Sequence, residues 1–138
     1  MIIVDTNVIS ELMRSSPKPE VISWIDKQDA TLLFVTTITI AEIIYGIKVL
    51  PEGNRRRALE DSFNRALDAA FKHRILSFDE SAAHLYGDVM GKRKLSGKPL
   101  SIPDGQIASI ALAHNFSVAT RNIKDFEGGG LNLLNPFV

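Results

Sequence analysis

The stretch IIVDTNVIS, residues 2–10, decides the fold. Ile2, Ile3 and Val4 make a short β-rich run, Asp5 interrupts it, and Val8, Ile9 and Leu12 then recur at helical spacing. A strand that gives way within two residues to a helix is the start of a β-α unit. Working outward, the same kind of run returns at Leu32–Val35, Ile75–Phe78, Ser117–Thr120 and Leu131–Leu134. Between these runs lie longer helical patterns. Pro19 suits a first helical turn leading into Val21, Ile22 and Ile25, and Ile40, Ile43, Ile44 and Ile47 form an apolar stripe. Residues 54–72 read as a more exposed helix, Asp79 can cap another that runs out near Gly97, and a last helix spans about Asp104 to His114. Strands alternating with helices predict an α/β fold, because parallel strands need such crossovers. The expectation is a three-layer α/β/α sandwich around a mainly parallel sheet of about five strands, residues 1–138 forming one domain.

Composition narrows the function. The chain has 138 residues, 45% hydrophobic and 23% charged, which excludes a disordered tail or a collagen-like chain. It has no cysteine, so thiolate metal sites, cysteine nucleophiles and disulfides are excluded. No apolar run reaches the roughly 18 residues of a spanning helix. The first residues lack a basic leader and carry Asp5, so the expected location is the cytoplasm. Sixteen basic side chains balance sixteen acidic ones, which argues against holding nucleic acid by bulk charge. Local basic runs remain at Arg55–Arg57 and at Lys92, Arg93, Lys94 and Lys98.

The chemistry is expected at the carboxyl ends of the strands, where open α/β sheets collect their ligands. Four acids fall there or at the start of the following helix: Asp5, Glu42, Asp104 and Asp125. Each also has an ordinary explanation. Asp5 and Asp104 suit helix caps, Glu42 follows Thr39 in the Thr-x-x-Glu order of a capping box, and Asp125 suits a solvated loop. Together they would repel one another unless a cation sat among them. Hard divalent ions such as Mg²⁺ or Mn²⁺ prefer oxygen ligands and activate water for phosphodiester hydrolysis. His73, His84 and His114 sit in structural or surface contexts and do not suggest a paired acid and base.

Four segments carry a resemblance: IIVDTNVIS, TTITIAEIIYGI near residue 40, IPDGQIASIALAHN near 105 and VATRNIKDFEG near 120. In order and over essentially the whole length, the chain resembles the PIN-domain family, and within it the VapC/FitB type of toxin. The resemblance implies a metal-dependent ribonuclease acting on transfer RNA or other structured RNA, a homodimer, and a small antitoxin that blocks the site. Carried over position by position, Asp5, Glu42 and Asp104 match the first three family acids. For the fourth, many members have an acid where this chain has Asn122, and others have one where it has Asp125; Asp125 is assigned, with Asn122 in support. Asp5 and Asp104 would be the main metal ligands, Glu42 would take a second metal or orient the water, and Asp125 would complete the outer ring. Thr6 and Thr120 are candidates for orienting carboxylates, and Arg121 is a candidate phosphate contact. Two other readings stand beside this one: a PIN-like binding module without catalysis, and an α/β phosphatase or phosphoacceptor domain. The second is weakened because Asn7 stands where a second acid is wanted.

Overall fold

A computed structural model describes all residues from Met1 to Val138. Five strands, β1 (Ile2–Val4), β2 (Leu33–Thr36), β3 (Ile75–Leu76), β4 (Ser117–Ala119) and β5 (Leu133–Leu134), pair in parallel in the order β3-β2-β1-β4-β5. Seven helices supply the crossovers: α1 (Thr6–Leu12), α2 (Pro19–Asp26), α3 (Thr37–Lys48), α4 (Asn54–Ala70), α5 (Glu80–Leu95), α6 (Ile102–His114) and α7 (Ile123–Phe126). The expected sandwich is therefore present. No helix is long and apolar enough to cross a membrane.

Side-chain alternation along the strands builds two cores. Val4, Leu33 and Val35 face one way and pack with Val8, Ile9, Val21, Ile43, Ile47 and Phe63 of α1 to α4. Ile3 and Val118 face the other way and pack with Ala82, Ile107, Ile110 and Ala111 of α5 and α6. The β-branched stripe of α3, poor for an isolated helix, is stable because Ile43 and Ile47 are buried in the first core. Gly105 is needed where α6 meets α5: a Cβ there would lie 2.4 Å from Met90 Sδ and 3.2 Å from Tyr86.

The helix starts differ from the sequence expectation at two positions that matter. α3 is capped by Thr36, whose Oγ1 accepts from the Thr39 amide at 3.2 Å, so the Thr39–Glu42 capping box does not form and Glu42 lies in the second turn. α6 is capped by Ser101 rather than Asp104, with Pro103 and Asp104 in its first turn. Both helices begin earlier because a hydroxyl residue three positions upstream was free to cap. Asp79 caps α5 and Pro19 opens α2 as expected. β3 and β5 are two residues each, shorter than their apolar runs, and α7 emerges in a segment read as loop.

Candidate active site

The sheet grows outward from β1 through β2 to β3, then returns to place β4 on the other side of β1. The neighbouring carboxyl ends of β1 and β4 are thus the topological switch point, where the two crossovers diverge and leave a crevice. Asp5 is the first residue after β1 and Thr120 the first after β4. The Thr120 hydroxyl donates to Asp5 Oδ2 at 2.8 Å, and the Thr6 amide donates to Asp5 Oδ1 at 2.8 Å. Asp5 is at once the cap of α1 and a fixed carboxylate facing the crevice. Asn7 is the strut between the two loops. Its Nδ2 donates to Asp5 Oδ2 at 3.2 Å and to Thr120 Oγ1 at 3.3 Å, while its Oδ1 accepts from the Arg121 amide at 3.2 Å.

A second chain of hydroxyls holds Glu42. Thr6 Oγ1 donates to Glu42 Oε1 at 2.7 Å and lies 2.9 Å from Thr39 Oγ1. A hydroxyl has one proton, so with Thr6 donating to Glu42 it is Thr39 that donates to Thr6. Glu42, although on an exposed face of α3, is thereby tethered to the same loop as Asp5. Asp104 is placed by its backbone: its amide donates to Ser101 Oγ at 3.3 Å. Gly105, the next residue, lets that end of α6 press against α5.

Asp5, Glu42 and Asp104 open into one cleft of about 510 Å³ with no hydrophobic residue in its lining. The charges of Glu42 and Asp104 bear on Asp5. Burial raises the Asp5 carboxyl to about 6, the Thr120 and Thr6 hydrogen bonds oppose that rise, and the charges of Asp104 and Glu42 add to it. Asp104 is also raised, chiefly by desolvation, against the Ser101 hydrogen bond and with a contribution from the Asp125 charge. Two partly desolvated carboxylates, Asp5 and Asp104, with a third acid beside them make a site that favours a bound cation. No three acidic or histidine side chains close a ready-made cage around one point. The all-oxygen donor set in an open polar cleft fits Mg²⁺ or Mn²⁺, which keep several waters and complete their shell from substrate phosphate.

The remaining expected residues divide. Asn122 and Arg121 line this cleft. Asp125, on α7, is exposed and lines a neighbouring hollow instead, so it reaches the site through its field on Asp104 rather than by direct lining. Arg93, one of the basic-run residues, is committed to structure: it donates to the carbonyls of Lys98 at 2.7 Å, Glu127 at 2.7 Å and Asp125 at 2.5 Å. No histidine enters the cleft; His84 lies near Glu80 on the surface and His114 rests against Phe116. Four lining residues were not singled out as site residues from sequence: Asn7, Ser10, Glu11 and Arg14. Their signal was helical periodicity, since Asn7, Ser10, Glu11 and Arg14 fall at successive turns on one face of α1 and the segment after it. Glu11 in particular is a charged residue with only 3% of its side chain exposed.

Comparison with known proteins gives the family of the chain. The PIN domain family matches residues 2–127. The chain is 42% identical over 137 residues to VapC ribonuclease Y4jK of Sinorhizobium fredii, covering 99% of this chain and 98% of the relative. It is 34% identical to Toxin FitB of Neisseria gonorrhoeae, covering 99% of each. The crystal structure of FitAcB from Neisseria gonorrhoeae superposes with a TM-score of 0.93, at 34% identity and 99% coverage of both chains. With the matched segment spanning both strands of the switch point and all of the acids, this chain belongs to the PIN-domain family.

Proposed function

We propose that the chain is a metal-dependent endoribonuclease, the toxin of a toxin–antitoxin pair, and that residues 1–138 form its single nuclease domain. The observation that carries this reading is the convergence of Asp5, Glu42 and Asp104 on one wholly polar cleft at the switch point of the sheet. The names of the similar proteins, a ribonuclease and a toxin, support it.

In this reading Asp5 and Asp104 are the main ligands for Mg²⁺ or Mn²⁺. Held by these residues, such an ion would supply a more acidic water and positive charge beside the phosphate. Glu42, held by Thr6, accepts a proton from the attacking water or takes part in a second metal site. Thr120 and Asn7 hold Asp5 Oδ2 and the Thr6 amide holds Oδ1, while Asn122 offers an amide at the edge of the cleft. Asp125 tunes Asp104 from α7. The bond to the 3′ oxygen breaks, leaving a 5′ phosphate and a 3′ hydroxyl, so the RNA 2′ hydroxyl is not the nucleophile. Transfer RNA or another structured RNA is the substrate class to which the family resemblance points.

The antitoxin belongs to an apolar depression away from the carboxylates. A groove of about 470 Å³ runs between α1, α2 and α4, lined mainly by apolar residues including Leu12, Met13, Ile25, Ala66, Leu67 and Phe71. An apolar channel of this kind suits the apolar face of a partner helix. A homodimer in the cytoplasm completes the reading, with Tyr45, Val49, Leu95 and Ile102 as exposed apolar surface available to a second copy. A binding module without catalysis gains no support, since the three main acids face the cleft. A phosphatase gains none either, because Asn7 is engaged with Asp5 and Thr120 as a neutral strut. The test is expression in a bacterial host without the antitoxin. Wild type should arrest growth and fragment RNA, Asp104→Ala should do neither at equal abundance, and arrest by both variants alike would overturn the reading.

A further inference from the structure

The lining of the cleft carries two arginines, Arg14 and Arg121, as well as its carboxylates, and one buried acid organises them. Glu11 Oε2 accepts from the Lys18 backbone amide at 3.0 Å. Its Oε1 lies 3.4 Å from Arg14 Nη1 and 3.4 Å from Arg121 Nη2. Arg121 is also stacked, its guanidinium carbon 4.0 Å from the centre of the Phe137 ring, with Lys18 on the same ring at 5.8 Å. α1, the start of α2 and the β4–α7 loop thus meet at a single carboxylate, and the carboxyl-terminal tail joins them through Phe137 on the Arg121 guanidinium. A lone surface arginine needs no such framework. A buried ion pair is weak evidence for stability, since desolvation offsets most of its attraction; what it supplies is fixed geometry.

The donors left over show what the geometry is for. A guanidinium carries five N–H groups. Arg121 gives one nitrogen to Glu11 and one face to Phe137, and no other protein acceptor meets its side chain. Arg14 likewise meets only Glu11 and is 64% exposed. Both line the same cleft as Asp5, Glu42 and Asp104. Two arginines against one glutamate leave a net positive charge beside a cluster of acids, and a planar fork of free N–H groups matches phosphate oxygens.

We propose that Arg14 and Arg121 form an anion subsite that grips an RNA phosphate next to the one cleaved, and that Glu11 is the positioning residue that holds their forks toward it. This rests on the nuclease reading and adds the way the substrate backbone is registered against the carboxylates. Arg121 is the stronger grip because its plane is fixed from two sides; Arg14, free on one side, closes on the phosphate when RNA enters.

The experiment uses the full chain and bulk transfer RNA, with binding followed by fluorescence anisotropy in EDTA over a salt series and cleavage followed in Mn²⁺. Arg121→Ala should weaken binding about tenfold, the scale of a charge-assisted hydrogen bond, and flatten the salt dependence by about one phosphate contact. Its KM should rise more than its kcat falls. Arg121→Lys keeps the charge but not the fork and should restore the salt dependence without restoring KM. Glu11→Gln is decisive because two effects oppose each other. Removing a negative charge favours tighter RNA binding by Coulomb attraction alone, whereas releasing the arginines from their positions weakens it. Weaker binding with a raised KM, in protein whose circular dichroism matches wild type, is the expected result. Tighter or unchanged binding by Glu11→Gln, or unchanged binding by Arg121→Ala, overturns the subsite while leaving a cleaving wild type as a nuclease. A wild type that neither binds nor cuts RNA overturns both.

Discussion

Thr120 and Asp5 lie 115 positions apart in the chain and 2.8 Å apart in space, the threonine hydroxyl donating to the aspartate carboxylate. Because the two residues directly follow adjacent strands, this one bond ties the last β-α turn of the sheet to the first. It also works against the burial that raises Asp5 to about 6. Thr120→Val keeps the shape and removes the donor, so Asp5 should titrate higher still. In the metal-free protein the Asp5 titration profile, followed by carboxyl NMR, should move to higher pH, and Mn²⁺ binding near pH 6 should weaken by roughly tenfold because the proton competes for the same carboxylate. A profile unmoved along the pH axis would show that the Thr120 bond does not hold the Asp5 charge.

Asp5 also makes a stability prediction of opposite sign to its activity. Its carboxyl is raised in the folded state from an ordinary 3.8 to about 6, so the folded protein holds the proton more tightly than the unfolded chain. Ionised Asp5 therefore costs stability above pH 6, and the cost fades as pH falls toward 3.8. Asp5→Asn removes that cost. Thermal unfolding at pH 7.5 should show a variant more stable than wild type by on the order of 1–3 kcal/mol, the gain vanishing near pH 4, with cleavage abolished.

Glu42 should separate charge from structure. Glu42→Gln retains a carbonyl to accept from Thr6 and sits on an exposed helix face, so unfolding should change by less than about 0.5 kcal/mol. Cleavage should fall by about a hundredfold or more if the carboxylate handles the attacking water or a metal. Both quantities can be read on one preparation by denaturant titration and by initial rates.

Much of this site was legible in the sequence, and the limits have physical causes. Asp5 and Asp104 stood out because short β-branched runs end beside them, and the strand ends of a parallel sheet are where ligands gather. Glu42 was legible as an acid but not in its role: Thr36 and Thr39 are both competent caps, and only the end of β2 at Thr36 decides between them. The sequence favoured Asp125 over Asn122 for the fourth position, whereas it is Asn122 that lines the cleft; α7 is a single turn, too short for a periodic signal to show which side chain faces it. Only the α1 side of the Glu11 cluster, Glu11 and Arg14 on one helix face, carried a local signal. The other partner, Arg121, lies 110 positions away from Glu11, and no local pattern reports a contact at that separation.

The fourth position yields its own prediction. Asn122 lines the cleft, whereas Asp125 acts on Asp104 by charge from an exposed helix. Asn122→Asp should tighten Mn²⁺ binding by adding a carboxylate to the cleft that holds Asp5, Glu42 and Asp104. Asp125→Asn should lower the Asp104 pKa and cost less than about tenfold in rate. Isothermal titration with Mn²⁺ compares the two directly; a larger loss for Asp125→Asn than for Asp104→Asn would assign Asp125 a ligand role.

For the apolar groove, Ala66→Arg places a charge among Leu67, Phe71 and Met13 on an exposed helix position. The variant should fold and cut RNA but escape neutralisation when the antitoxin is co-expressed. Growth rescued by the antitoxin as fully as for wild type would move the partner to another surface.

The central claim is that three carboxylates at the switch point hydrolyse RNA with a divalent ion. It is tested most directly by incubating purified, partner-free protein with total bacterial RNA in Mg²⁺, in Mn²⁺ and in EDTA, and identifying the chemistry of the new ends. The account predicts cuts that need the metal, carry 5′ phosphates and disappear in Asp5→Asn. Cuts that persist in EDTA and end in cyclic phosphates, or that Asp5→Asn makes as readily as wild type, would contradict it.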